Sequence, residues 1–246
     1  EYVHGAYTEP DTPTDWKVVA ISEEWMAVSK PTGMPMHSTS RIFRQTLAWQ
    51  VRKMFGEGWA PVHRLDRETS GIVLFARGPV TSRWLYQAFS QRTVSKEYIA
   101  LVHGELLGET DVNGPIGPVG DPLIPIRQAV VEGGKDACTS VRPIGPDALG
   151  RGTWVVASPK QGRMHQIRVH CESIGHPIVG DPLYDGLGGE GFKSRVRGEP
   201  ASECSGLVGG ERLHLHAWKL RFDRSGPGEM PRSLECPIRA GWSVPF

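Results

Sequence analysis

The chain has no long apolar run, no paired cysteines and no phosphate-loop motif, and each absence excludes a class of protein. No apolar stretch approaches the ~20 residues that a membrane-spanning helix needs. The four cysteines stand far apart, which argues against a zinc ribbon or a dithiol redox site. The glycine-rich stretches lack the Gly-x-x-x-x-Gly-Lys-Ser/Thr pattern. We therefore expect no nucleotide cofactor.

The charge of the chain is small overall but unevenly distributed. Of its 246 residues, 39% are apolar and 22% are charged, as in soluble globular proteins. The net charge is only +1, yet residues 37–104 contain ten Lys/Arg and four Asp/Glu, which leaves +6 on that segment. Such segregation suits a phosphate-bearing partner, although solvated helix faces explain it equally well.

The first fifteen residues are acidic and rich in Thr and Pro. They resemble neither a signal peptide nor a transit peptide and have little to pack. We therefore expect a flexible N-terminal arm over residues 1–15, and a cytoplasmic protein.

Apolar spacing and breaker residues predict a mixed order of strands and helices. The predicted strands are 18–21, 25–28, 72–76, 93–103, 153–157, 213–222 and a short last one. The predicted helices are 44–55, one that begins at a Thr81 or Ser82 cap, and 162–174. Dense Gly and Pro predict loops and short edge strands over 105–152, and a loop over 186–210. This order favours an α+β fold around a mixed sheet.

Asp66 is the first candidate reactive group. It stands between Arg64 and Arg67 on a short polar segment, directly before the apolar run 72–76. An aspartate there can act as a base, a nucleophile, a metal ligand or a helix cap. The two neighbouring cations would repel a divalent metal, and the residues after Gly71 have strand character. A reactive and a structural role remain equally open on local sequence alone.

Tyr98 lies in a strand-like segment, Lys96 to Gly104. A strand tyrosine is commonly a core residue whose hydroxyl has a hydrogen-bond partner. The functional alternative is a ring that stacks on a base taken out of a nucleic acid stack. The segment does not decide between the two.

The sequence Gly-Arg-Met-His-Gln-Ile-Arg-Val-His, residues 162–170, supplies a third candidate. On a helix, His165 and Arg168 share a face, and Glu172 lies one turn beyond Arg168. Arg168 is either a surface partner of Glu172 or a buried arginine aimed at a carboxylate elsewhere. A zinc site built on His165 and His170 is excluded, because residues five apart do not share a helix face.

Two further segments carry no evident chemistry. Residues 175–184 form a rigid turn with glycines near both ends, in which no single residue demands a reaction. In residues 213–222, an alternating strand, the two histidines His214 and His216 are explained most simply by packing or hydrogen bonds.

Together, these segments resemble the RluA-type pseudouridine synthases over roughly residues 16–240. The matching pieces, in family order, are Lys30-Pro31 with Gly33, 63–71, 96–104, 162–170, 175–184 and 213–222. The resemblance implies an α+β fold: a mixed, mostly antiparallel sheet in two subdomains with a central catalytic cleft, over 16–246. It also implies isomerisation of a specific uridine in structured RNA, rRNA or tRNA, without metal or cofactor. A monomer and a weak dimer are both compatible with the sequence, and we expect a monomer.

The resemblance also assigns roles. Asp66 would be the catalytic aspartate and Arg168 its partner, while Tyr98 packs on the target base. Arg64 would fill the gap left by the flipped uridine. The further expected RNA contacts are His63, Arg67, Thr69, Arg163 and His165.

Two features depart from the family. Many relatives carry an N-terminal S4-type RNA-binding domain, for which residues 1–15 are too short, so the catalytic domain itself must bind the RNA. The 186–210 loop does not align.

Two other functions compete with this interpretation. One is a catalytically silent RNA-binding protein of the same fold, against which the intact Asp66, Tyr98 and Arg168 argue. The other is an aspartate-dependent glycosidase, which needs a second carboxylate as its acid. The matched motifs contain no such residue.

Overall fold

The computed structural model of the protein describes residues 8–39, 41–200 and 209–245. The strands in those residues are β1 (Lys17–Ile21), β2 (Trp25–Lys30), β3 (Trp59–Pro61), β4 (Ser70–Arg77), β5 (Val94–His103), β6 (Thr110–Asn113), β7 (Ile116–Pro118), β8 (Gln128–Val130), β9 (Cys138–Pro146), β10 (Gly152–Pro159), β11 (Leu215–Phe222) and β12 (Ser233–Glu235). The helices are α1 (Leu47–Phe55), α2 (Pro79–Ser90), α3 (Gln166–Ser173) and α4 (Glu190–Arg197). No described helix is both long and apolar enough to cross a bilayer.

Most of the described strands belong to one large sheet. Its order is β1-β2-β4-β11-β5-β10-β9-β6, with β3 added to β4 and β12 to β11, whereas β7 and β8 form a separate pair. Among the described strands, β4 and β11 run parallel and all other paired strands run antiparallel. The predicted α+β fold with a mixed, mostly antiparallel sheet is confirmed.

Helices α1 and α2 contact the half of the sheet that contains β3 and β4, and α3 contacts the half that contains β9 and β10. The first half packs a cluster that includes Leu47, Phe75 and Leu85, and the second a cluster that includes Val155 and Ile167. Tyr98 contacts both clusters. Two apolar cores, each removing side chains from water, therefore meet at the centre of the sheet.

The opposite face of the sheet is covered by the C-terminal segment. Ile238, Trp242 and Val244 pack there on a cluster that contains Trp154 and Leu101. The face that carries the helices is therefore the one on which the cleft opens.

The parallel contact between β4 and β11 fixes the position of the Asp66 segment. Ser70 is opposite His216, and Gly71 is opposite Ala217. Gly71 has φ +118°, and a Cβ there would overlap the backbone of Ala217. Only glycine permits this close approach. The segment before β4 therefore enters at the middle of the sheet.

Helices α1 and α2 begin at residues other than those predicted. Helix α1 starts at Leu47 instead of Arg44, because the Thr46 side chain accepts a hydrogen bond from the Trp49 amide and caps the helix. Helix α2 starts at Pro79, so the prediction of a Thr81 or Ser82 cap was wrong. Proline is well suited to the first helical position. Thr81 instead donates a hydrogen bond of 2.7 Å to the Glu24 carboxylate.

Other differences concern segments with many glycines. Within 105–152, the short β6, β7 and β8 fit the expected loops and short edge strands, whereas the nine-residue β9 departs from that expectation. Helix α4 lies inside the predicted 186–210 loop, of which residues 201–208 are outside the described residues. The Asp185 carboxylate accepts hydrogen bonds from the amides of Leu187, Gly189 and Gly191, which caps the start of α4.

The described end of the predicted arm makes specific contacts. Residues 1–7 are outside the described residues. The Glu9 carboxylate accepts hydrogen bonds from the amides of residues 43–45, and the buried Thr12 donates to the Gln45 carbonyl at 2.8 Å. This part is thus packed, whereas composition predicted a flexible arm. The domain boundary at residue 16 stays a prediction.

Candidate active site

A cavity of about 200 Å³ opens where the two apolar cores meet. Its lining combines the segment before β4, strand β5 and the chain around the start of α3. The predicted site residues on it are Arg64, Asp66, Thr69, Tyr98, Arg163, His165 and Arg168. The structure thus brings together residues separated by about a hundred positions in sequence.

The Asp66 loop is anchored through its neighbours. The amide of Gly33 donates to the Arg67 carbonyl at 2.8 Å, and the Arg67 Nε donates back to the Gly33 carbonyl at 2.9 Å. The Thr32 hydroxyl donates to the Glu68 carbonyl at 2.8 Å. These bonds fix the loop main chain and leave the Asp66 carboxylate free to face the cavity.

Lys30 adds the most deeply buried anchor. Its Nζ donates to the carbonyls of Pro31, Met34 and Arg67 at 2.9–3.0 Å. Burial lowers the pKa of this ammonium to about 7, although Glu68 and Asp66 oppose the shift. A buried cation is tolerated where polar acceptors surround it. Lys30 therefore ties the end of β2 to the Asp66 loop.

Arg168 is buried, with 2% exposure, and two acids share its guanidinium. Its Nε and Nη2 donate to Asp181 at 2.7 and 2.8 Å, and its Nη1 donates to Asp66 at 3.4 Å. Burial lowers the pKa of Arg168, but Asp181 and then Asp66 more than offset this, so the pKa lies above its ordinary value. The prediction of a buried arginine aimed at a distant carboxylate is confirmed.

The alternative ion pair between Arg168 and Glu172 is wrong. Glu172 instead accepts hydrogen bonds of 2.9 Å from Arg127, which belongs to the loop before β8. Sequence spacing alone could not show this, because the partner is supplied by another element.

Asp181 is a site residue that sequence reasoning missed. It is fully buried, and besides Arg168 its Oδ1 accepts the amides of Leu183 and Tyr184 at 2.9 and 3.1 Å. The preceding Gly180 has φ +80°, and a Cβ there would overlap the Arg212 carbonyl. The available signal was an acidic residue in an otherwise apolar, glycine-flanked turn.

Tyr184 and His165 form a hydrogen-bonded pair beside Asp66. The Tyr184 hydroxyl accepts from the Gln128 amide at 2.9 Å and lies 2.7 Å from His165 Nδ1. Burial raises the pKa of Tyr184, so the phenol keeps its proton and donates it to Nδ1. We assign the His165 proton to Nε2, which lies 3.9 Å from Asp66 Oδ2.

His165 is held in an unusual state. Its φ is +58°, in the left-handed region that costs a non-glycine residue energy. This is why α3 begins at Gln166 and not at Gly162. Burial, with Arg168 second, lowers the pKa of His165 to about 4. The ring is therefore neutral near pH 7 and does not face Asp66 as a cation.

Asp66 is only partly enclosed. Its side chain is 24% exposed, and both Arg168 and His165 approach its Oδ2. Its Oδ1 has no hydrogen-bond partner among the described residues. One carboxylate oxygen is thus oriented by the protein while the other faces the cavity.

Tyr98 lies on β5 between two neighbouring strands, opposite Ala217 of β11 and Ala157 of β10. Burial, with Asp66 second, raises the pKa of its phenol, so the ring is neutral. The small alanines on both sides leave the tyrosine ring as the wall of the cavity.

The remaining predicted RNA contacts fall into two groups. Arg64, Thr69, Arg163 and His165 line the cavity, whereas His63 and Arg67 do not. His63 accepts a hydrogen bond from the Leu74 amide at 3.0 Å, and burial lowers its pKa to about 3. Arg67 is bound to Gly33. Contacts of all six with RNA stay predictions.

No group of three or more His, Cys, Asp or Glu side chains in the described part of the chain is arranged to hold a metal ion.

Comparison with known proteins supports the same family. The sequence pattern of RNA pseudouridylate synthases matches residues 24–173. The chain belongs to the RluA-type pseudouridine synthases.

Relatives extend this match over most of the chain. Ribosomal large subunit pseudouridine synthase D of Nitrosomonas europaea is 33% identical to this chain. The alignment covers 87% of this chain and 60% of the relative. The tRNA pseudouridine synthase C of Haemophilus ducreyi is 32% identical over 81% of this chain and 82% of its own. The chain spans 60% of the first relative and less than two fifths of two others.

A solved structure agrees with the fold. Human RNA Pseudouridylate Synthase Domain Containing 1 aligns with a TM-score of 0.71 and 26% identity, covering 94% of this chain and 86% of its own. The family's fold is thus present in the described sheet and helices.

Proposed function

We propose that the protein isomerises a specific uridine in RNA to pseudouridine, with Asp66 as the catalytic residue. The observation that carries this proposal is the pair formed by Asp66 and Arg168. Arg168 is fixed by Asp181 and presents Nη1 to one oxygen of a carboxylate that faces a cavity. This arrangement supplies a positioned carboxylate next to a space that a base can enter.

The reaction needs few catalytic groups. The glycosidic bond from N1 to C1′ breaks, the base turns, C5 joins C1′, and the C5 proton leaves. Asp66 either attacks C1′ or removes a proton from C2′, and both routes require an ionised carboxylate. The Arg168 cation stabilises that charge in the partly enclosed cavity.

Other cavity residues have supporting roles in this proposal. Tyr98 packs on the target base, and Arg64, exposed at the cavity edge, fills the gap left when the uridine leaves its stack. Thr69 shapes the loop, since its amide donates to the Asp66 carbonyl at 3.2 Å. The neutral His165 ring lies beside Asp66, with its Nε2 3.9 Å from Oδ2.

The proposed substrate is a structured RNA, rRNA or tRNA. The relatives named above act on ribosomal RNA and on tRNA, according to their names. The cytoplasmic location and the monomeric state stay predictions.

A glycosidase is not supported. The second carboxylate near Asp66 is Asp181, which is fully buried and bound to Arg168. A buried, ion-paired aspartate cannot deliver a proton to a leaving group as the acid of a glycosidase does.

The proposal is tested with unmodified rRNA and tRNA transcripts that carry tritium at C5 of uridine. Because C5 joins the sugar, isomerisation must release the tritium to water. We expect release by the wild-type protein, and chemical mapping then locates the modified uridine. Binding of the same RNA without release from either pool would favour a catalytically silent RNA-binding protein.

A further inference from the structure

A second groove, of about 460 Å³, continues from the catalytic cavity. The two share the side chains of Arg64, Lys96, Tyr98 and Arg163 along their common wall. The groove then extends along the end of α2 and the start of β5. A chain bound with one residue in the cavity therefore has a continuous path into the groove.

The groove is lined by cations and by no Asp or Glu side chain. Its cationic residues are Arg64, Arg92, Lys96, Lys160 and Arg163. Arg64, Arg92 and Lys160 are exposed, and none of these three has an ion-pair partner among the described residues. Unpaired cations around a concave surface attract an anionic ligand.

Arg92 occupies a position that usually holds glycine. Helix α2 ends at Ser90 with Gln91 as its cap, and Arg92 follows with φ +60°. Glycine is preferred just after a helix end, because other residues are strained there. The strained backbone places the Arg92 side chain in the groove. A need for a cation there explains why arginine stands where glycine is preferred.

Aromatic side chains complete the groove. Tyr86 is 51% exposed, and its hydroxyl donates to the Pro61 carbonyl at 3.2 Å, which restrains the ring. Phe89 lies beside it and stacks on His63, with ring centroids 4.7 Å apart. Cations combined with an accessible ring are typical of sites for single-stranded nucleic acid.

We propose that this groove binds the single-stranded RNA that adjoins the uridine held in the cavity. Phosphates lie on Arg92 and Lys160, and a base stacks on Tyr86. A duplex could not offer a base to Tyr86, because its bases are already stacked on one another. That the cavity holds a uridine rests on the proposed function. RNA binding in the groove, however, can be measured without any turnover.

The test uses the complete protein and a fluorescein-labelled 12-nucleotide oligouridylate, with affinity measured by fluorescence anisotropy at several salt concentrations. The variant Arg92→Ala/Lys160→Ala removes two groove cations. The control Lys17→Ala/Arg142→Ala removes the same two charges from exposed positions outside the cavity and the groove. All of these side chains are exposed, and thermal melting checks that each variant is folded.

Each phosphate contact on single-stranded RNA contributes about 0.7 to the slope of log affinity against log salt. We expect the groove variant to lose about 1.4 of that slope. When salt is raised from 50 to 200 mM, the affinity of the wild-type protein should therefore drop by a factor about 7 times larger than the drop in the variant's affinity. The control should keep the wild-type slope.

Two further arms sharpen the result. Tyr86→Ala should weaken binding about 5-fold or more without changing the salt slope, because stacking involves no counterion release. The groove variant should bind a 12-base-pair RNA duplex with the wild-type salt slope. A wild-type slope for the groove variant on the oligouridylate, or an equal loss on the duplex, would overturn the proposal. Absence of tritium release would overturn the proposed function instead.

Discussion

Arg168 Nη1 and Asp66 Oδ2 lie 3.4 Å apart, yet the arginine is buried and the aspartate is partly exposed. Arg168 has 2% exposure, and a fully buried Asp181 binds two of its nitrogens. The Asp66 side chain is 24% exposed and has one oxygen without a partner among the described residues. The protein thus immobilises the cation and leaves the carboxylate available.

The difference has a physical reason. A guanidinium held by a bidentate carboxylate has its direction fixed, so its third nitrogen points at a defined place in the cavity. A carboxylate fixed in the same way would have no free oxygen for a substrate. The buried pair of Arg168 and Asp181 therefore serves as a support for Asp66, and the following predictions test that division.

The largest expected effect is on stability, at Asp181. Asp181→Asn keeps the shape of the side chain but leaves the Arg168 charge buried and poorly compensated, which should cost about 3 kcal/mol or more of unfolding free energy. Urea denaturation measures this. In the control Glu190→Gln, the half-exposed pair with Arg197 is lost, and the cost should stay under about 1 kcal/mol. Equal losses in the two variants would show that Asp181 is no special support.

The next effect is on turnover, at Arg168. Arg168→Lys keeps the positive charge but cannot bind Asp181 and Asp66 together through a planar fork. The misplaced Asp66 should lower kcat about 100-fold. RNA affinity, measured by filter binding, should change little, because Arg168 is buried. Equal losses in kcat and in affinity would contradict a positioning role.

A smaller effect is expected at Tyr184. Tyr184→Phe removes the hydroxyl that binds the Gln128 amide and His165 Nδ1, which should cost about 1–3 kcal/mol of stability. Turnover should also fall, since the tautomer of His165 is no longer fixed. The control Tyr86→Phe removes a half-exposed hydroxyl and should cost less than Tyr184→Phe. The opposite order would show that the hydrogen-bond chain to His165 adds nothing.

The smallest effect is a pH dependence of RNA affinity. Burial, with Arg92 second, lowers the pKa of Lys96 to about 8, so the ammonium is charged below that pH and neutral above it. Lys96 lines both the cavity and the groove, and we expect its ammonium to contact one phosphate of the bound RNA there. Loss of that contact should weaken RNA binding about 5-fold at 0.1 M salt between pH 7 and 9. Lys96→Arg stays charged and should abolish the change. A persistent pH step in this variant would assign it to another group.

The sequence was sufficient to single out candidate residues that stand in a specific motif. Asp66 and Arg168 stand in two highly specific segments, and Tyr98 lies in a strand that alternation predicts well. Their meeting in one cavity followed from the family resemblance, since spacing along the chain cannot bring residues 66 and 168 together.

What sequence could not supply were partners from other elements. Asp181 lies in a turn that we considered free of chemistry, and Glu172 proved to bind Arg127. Helix α4 was missed because its start depends on the Asp185 carboxylate, and the helix itself has few apolar residues. Each case depends on tertiary contacts, which periodicity does not report.

The most direct test of the account is Asp66→Asn, with tritium release and RNA affinity measured on the same C5-tritiated transcript. The substitution keeps size and removes the negative charge from a partly exposed side chain, so fold and affinity should be retained. Release should fall by about 10⁴-fold or more, as expected when a nucleophile or its charge is lost. Near wild-type release by Asp66→Asn would contradict the account, because the cavity would then be working without the carboxylate that Arg168 supports.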